Sequence, residues 1–178
     1  MRRFALLVIA ILTVPFHVSA QHNNPTSLPQ EFLGTWKLVS YVREEIPSGA
    51  KSDVMGPHPQ GYINYSRDGR MIVMIVGSNR TKPAASFATP AEAAALLKSM
   101  LAYAGTFTVD TTAKTITHHV EISWDESRTG TDQVRRFNLQ GSTLTLTTEP
   151  STDPPPAKKP SANCSGKKRT DISVMSAS

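Results

Sequence analysis

One cysteine among 178 residues leaves no partner for a disulfide within the chain and too few thiolates for a zinc ribbon. Ten glycines are far too few for a collagen repeat, and a charged fraction of 19% is too low for a coiled coil. Beyond the first fifteen residues there is no long apolar run, which excludes a polytopic membrane protein. Charge of one sign is also scarce. Nineteen basic residues against fourteen acidic ones give +5, enough for solubility but no footprint for nucleic acid. No internal repeat is visible. What remains is a chain of one-domain length, at roughly 150 residues per domain, long enough to fold without staples.

The start is an export signal. Arg2 and Arg3 precede an apolar run over 4–14, Pro15 interrupts it, and Val18-Ser19-Ala20 supplies small residues for a signal peptidase. Residues 1–20 are therefore expected to be removed, which takes the net charge from +5 to +3, with an uncleaved anchor as the alternative. The product is periplasmic or secreted, without integral membrane association. Residues 21–30 read as a flexible linker and 31–178 as the folded domain. Within it, 149–166 is rich in Pro, Ser and Lys and reads as a mobile loop carrying Cys164.

From Leu33 onward the hydrophobic period is two. In Trp36-Lys37-Leu38-Val39-Ser40-Tyr41-Val42 the alternation sends Trp36, Leu38 and Val42 to one face. Strand-like runs follow at 61–66 and 70–76, joined by Asp68-Gly69, a hairpin turn signal. Residues 71–76 are apolar on both faces, so the next segment is expected to cover the outer one. That segment is a helix over about 90–102, with Thr89 as cap, Pro90 at the first position, and Leu96, Leu97, Met100 and Leu101 as a packing stripe. Four antiparallel strands are then expected at 106–110, 114–123, 133–140 and 143–148, and a last one at 169–175. The fold class is all-β: about eight antiparallel strands with one inserted helix. A closed up-and-down barrel suits that pattern because closure removes unpaired edges.

Gly34-Thr35-Trp36-Lys37-Leu38 resembles the Gly-x-Trp opening of lipocalins, in which the Trp closes one end of the barrel. Gly61-Tyr62-Ile63-Asn64-Tyr65, Asp68-Gly69-Arg70-Met71, Tyr103-Ala104-Gly105-Thr106-Phe107 and Thr117-His118-His119-Val120-Glu121 extend the resemblance, in order and spacing, to the lipocalin-like domain family. It covers about 32–148 and implies a small barrel; it implies little about a reaction. The family's last strand often carries a Trp and an Arg, whereas Lys168-Arg169-Thr170-Asp171 stand here. That leaves open which Arg packs on Trp36.

Alternation then sorts the polar groups. Ile116, His118, Val120 and Ile122 share a face that should be the lumen, with His119 and Glu121 outside. On the following strand Phe137 and Leu139 mark the inner side and carry Gln133 and Arg135 with them, while Arg136 faces out. A guanidinium cannot shed its proton, so an inward Arg135 requires a carboxylate, water or an acidic ligand. The expected binding set is Arg135, His118 and Gln133, with walls from Trp36, Leu38, Tyr62, Phe107, Phe137, Leu144 and Leu146. The partner is then a small hydrophobic or amphipathic molecule, acids included.

The competing readings are an Arg135 satisfied inside a filled barrel, a barrel isomerase or cyclase using His118 and Arg135, and a sealed structural module of the envelope. No cofactor, metal or nucleic acid is expected, since His119 and Glu121 alone do not make a site. No catalytic residue is assigned: no nucleophile elbow is present, and Ser123, Ser127 and Cys164 lie in ordinary loop composition. Asn64, Asn79 and Asn163 head Asn-x-Ser/Thr triplets, which are glycosylation acceptors only in a eukaryote.

Overall fold

Burial alternates residue by residue in β3 (Gln60–Tyr65) and β4 (Arg70–Val76), the signature of strands with one face on a core and one on solvent. The computed structural model describes residues 28–151 and 168–177. The expected leader at 1–20, most of the expected linker, most of the 149–166 segment and Cys164 lie outside the described residues. The other strands of the ring are β1 (Gly34–Ile46), β5 (Met100–Asp110), β6 (Thr115–Ser123), β7 (Asp132–Gln140), β8 (Thr143–Thr148) and β9 (Lys168–Ala177). Each strand pairs antiparallel with the next, and β9 returns to pair with β1, closing an eight-stranded barrel. A short β2 (Lys51–Asp53), unforeseen in the sequence, pairs with Val42–Glu44 as a ninth strand outside the closed ring.

One end is sealed by a 3-10 turn, Gln30–Phe32. Phe32 enters the lumen and meets Phe137 edge-on at 4.7 Å, while Trp36 Nε1–H donates to the Phe32 carbonyl at 2.8 Å. Leu28 packs against the same core. The lumen above is filled by apolar side chains from every strand of the ring, among them Ile116, Leu144 and Met175 at zero exposure.

Three expectations are corrected. The helix α1 (Pro90–Lys98) is shorter than 90–102, because Met100 already pairs with Val76 and Leu101 is buried as a strand residue. α1 buries none of its side chains, so it does not cover β4, and Ile72 and Met74 remain more than half exposed. Two bulges also change which residues face in. Leu38 pairs with Met175 but Ser40 with Val174, so Val39 is an extra residue, and Tyr41 takes the inward place expected of Val42. Gly105 pairs with Val120 but Ala104 with Ile122, so Glu121 is extra and Ile122 is turned out, 67% exposed. A Cβ at Gly105 would lie 1.9 Å from the His119 carbonyl oxygen, so only glycine lets the bulged strand approach so closely.

Candidate functional site

Nine of the ten residues assigned to the lumen face it. Trp36, Leu38, Phe107, His118, Phe137, Leu144 and Leu146 are buried, and Gln133 and Arg135 are half-buried. Tyr62 is the exception, 49% exposed on the outer face. Its neighbour Gly61 holds the inward position, where a Cβ would lie 2.6 Å from the Met74 carbonyl oxygen. The inward set of β3 is therefore Gly61, Ile63 and Tyr65; reading the larger Tyr62 as the wall puts β3 one residue out of phase.

His118 is the one buried polar or charged residue among those described, with no exposed surface. Its Nε2 lies 2.8 Å from the Tyr65 hydroxyl and its Nδ1 2.8 Å from the Tyr103 hydroxyl. The strand register makes this meeting: Phe107 lies opposite His118, with Tyr103 further along the same inner face of β5. Burial, reinforced by the charges of Arg135 and His119, pushes the His118 imidazole well below its ordinary value, so it is neutral at pH 7. Burial likewise pushes the Tyr65 phenol well above its own, with Tyr103 adding to the rise and Arg135 opposing it. With both ring nitrogens bonded to tyrosines, His118 has no atom free for a substrate. The isomerase reading therefore lacks its base in this arrangement.

Arg135 Nη1–H donates to the Gln133 carbonyl at 2.9 Å. Gln133 itself is tied to the β6–β7 connection, its Nε2–H donating to Thr131 Oγ1 at 2.9 Å and its Oε1 accepting from Arg128 at 3.3 Å. Among the described residues no carboxylate pairs with Arg135. It borders a cavity of about 20 Å³ shared with Tyr103, Tyr41, Thr148 and Ser173, at the end opposite the Trp36 seal. Arg135 is therefore not the residue that packs on Trp36. A cavity of that size holds about one water, far short of the roughly 300 Å³ at which ligand pockets begin.

Outside, His119 Nδ1 lies 2.7 Å from Asp132 Oδ1 and its Nε2 3.1 Å from Thr108 Oγ1. Glu121 pairs with Arg70 instead of joining His119. Thr108, His119 and Asp132 have the hydrogen-bond order of a hydrolase triad, but they stand on a convex, exposed face whose backbone N–H groups are committed to the ladder. The arrangement is a cross-strand polar row. No group of three or more potential metal ligands occurs among the described residues. None of their helices is long and apolar enough to cross a membrane. An apolar depression also lies outside, about 260 Å³ between Ile72 and Met74 on one side and Ile122 and Trp124 on the other, floored by Ala102 and Ala104. Strand alternation does not reveal it, because a covering α1 is expected over β4 and the β6 bulge leaves no mark in the pattern.

A family model described as a lipocalin-like domain matches residues 33–165. No curated protein matches the chain.

Proposed function

The chain belongs to the lipocalin-like domain family, and on that footing we propose that it is an exported, non-enzymatic binder of a small amphipathic acid. The acid head sits on Arg135 at the end of the lumen opposite the Trp36 seal. One observation carries this reading: a half-buried guanidinium inside an apolar barrel whose single partner among the described residues is a backbone carbonyl. A charge in that setting is costly until it is matched, and a carboxylate matches a guanidinium in both charge and planar geometry. The apolar walls suit the tail.

In the closed state the lumen has about 20 Å³ to spare, so the tail enters by displacing wall side chains. Met175 and Tyr41 border the cavity, and the unbranched Met175 is the wall residue best able to re-pack. Binding is in this reading coupled to opening of the barrel end.

Dodecanoate and dodecanol, titrated calorimetrically into the full chain, test the proposal. The acid should bind more tightly, and Arg135→Met should weaken it about 10- to 100-fold while leaving the alcohol nearly unchanged, as expected for a hydrogen bond to a charged group. Equal losses for both, or no binding of the acid, overturn it. Export predicts that the protein recovered outside the cytoplasm begins at Gln21.

A further inference from the structure

Tyr65, His118 and Tyr103 carry three labile hydrogens but make two hydrogen bonds with one another. A neutral imidazole donates through one nitrogen and accepts through the other. One tyrosine therefore gives its hydrogen to His118, and the other accepts from it and must spend its own hydrogen elsewhere. The surroundings decide which. Tyr65 is 1% exposed, its hydroxyl has His118 as its one partner among the described residues, and it does not border the cavity. Left to donate outward, its hydroxyl would be a buried donor without an acceptor. Tyr103 does border the cavity, together with Arg135.

We infer that the hydrogen bonds run in one direction, Tyr65 O–H to His118 Nε2 and His118 Nδ1–H to the Tyr103 oxygen, so that Tyr103 presents its own O–H to the cavity beside Arg135. Both groups then offer only donors to that space. The site selects a hydrogen-bond acceptor: a water oxygen in the closed barrel, one carboxylate oxygen when an acid binds. Tyr103 is in this way a specificity-determining residue of the binding site proposed above, and the ligand part of the inference rests on that proposal. Tyr65 and His118 are positioning residues that hold the Tyr103 hydroxyl in orientation without touching the ligand. Arg135 does not reverse the direction: among the described residues its guanidinium bonds to the Gln133 carbonyl through Nη1–H, and no N–H of it bonds to the Tyr103 oxygen.

The direction is read without any ligand from the nitrogen chemical shifts and ring couplings of His118 in the isotope-labelled full chain. Protonated Nδ1 with bare Nε2 is the expected tautomer, and the reverse overturns the inference. Dodecanoate affinity then tests specificity. Tyr103→Phe should weaken the acid about tenfold or more while dodecanol binding is nearly unchanged. An unchanged affinity for the acid overturns the role of Tyr103 even where the tautomer is as expected. Should the wild-type chain bind no dodecanoate, the functional proposal fails, and the tautomer still decides the direction of the hydrogen bonds.

Discussion

His118 points into the lumen, is fully enclosed, and is bonded through both nitrogens to buried tyrosines. His119, one residue on, points outward, its side chain about one-third exposed, and meets Asp132 and Thr108 across two strands. The same contrast runs through the whole wall of the barrel. Inside, each position is held by neighbours on several strands, so a change is felt by all of them. Outside, Ile72, Met74 and Ile122 lie uncovered, and the polar rows are of the kind that contribute little individually. Stability is thus concentrated on the inner face, while the outer face is free to vary.

The largest effect expected from that division is on unfolding. Leu144→Ala removes a side chain with no exposed surface and should cost about 2–5 kcal/mol, against about 0.5 kcal/mol or less for Ile122→Ala, which lies 67% exposed. Urea midpoints for the two variants measure this directly, and comparable losses would break the contrast.

Next in size is the response of the enclosed His118 to pH. The folded His118 value lies below the ordinary 6.5, so the unfolded chain binds the extra proton first. Its contribution to stability is therefore complete above about pH 6.5 and is lost as the pH falls toward the depressed folded value, with a slope of up to about 1.4 kcal/mol per pH unit. Denaturant titrations at a series of pH values should show this slope in the wild type and a smaller one in His118→Met.

Smaller again is the Trp36 seal. Trp36→Phe keeps an aromatic ring but removes the donor to the Phe32 carbonyl, for an expected loss of about 1 kcal/mol plus a cavity cost. If the urea midpoint does not move, the hydrogen bond is not part of what holds that end closed.

Much of this inner face can be read from the sequence, because strand alternation and apolar composition agree at Ile116, His118, Val120, Phe137, Leu144 and Leu146. The failures share one physical cause. A bulge adds a residue without disturbing the alternation of residue types, so Val42 and Ile122 look inward in sequence while the extra Val39 and Glu121 turn the strands over. Tyr62 misleads because glycine, at Gly61, occupies the inner position where a backbone passes too close for a side chain. Had Gly61 been given that role, Tyr65 would have emerged as the inward aromatic, and with it one of the two partners of His118. The other, Tyr103, was hidden by the length assigned to the helix, since β5 begins six residues before the expected 106. The cavity volume has no signature in sequence, because it depends on how the side chains of all eight strands fill a common space.

The smallest effect concerns α1, where the sequence is right about the start and wrong about the role. Thr89 and Glu92 form a reciprocal cap: the Thr89 hydroxyl accepts from the Glu92 N–H at 3.3 Å, and the Thr89 N–H donates to Glu92 Oε2 at 2.8 Å. Donation to the carboxylate by the Thr89 N–H, the Thr89 hydroxyl and the Ala84 N–H holds Glu92 below its ordinary value, so the cap stays charged at neutral pH. Yet no side chain of α1 is buried, Leu97 is half exposed, and a helix of nine residues is marginal by itself in water. Local capping can therefore hold this helix without contributing to the barrel. Thr89→Ala should leave the urea midpoint of the whole protein unchanged while the amides of α1 lose protection from hydrogen exchange. A fall in the global midpoint would mean that the helix is coupled to the barrel wall, and the division between an over-determined inside and a permissive outside would no longer hold at β4 and β5.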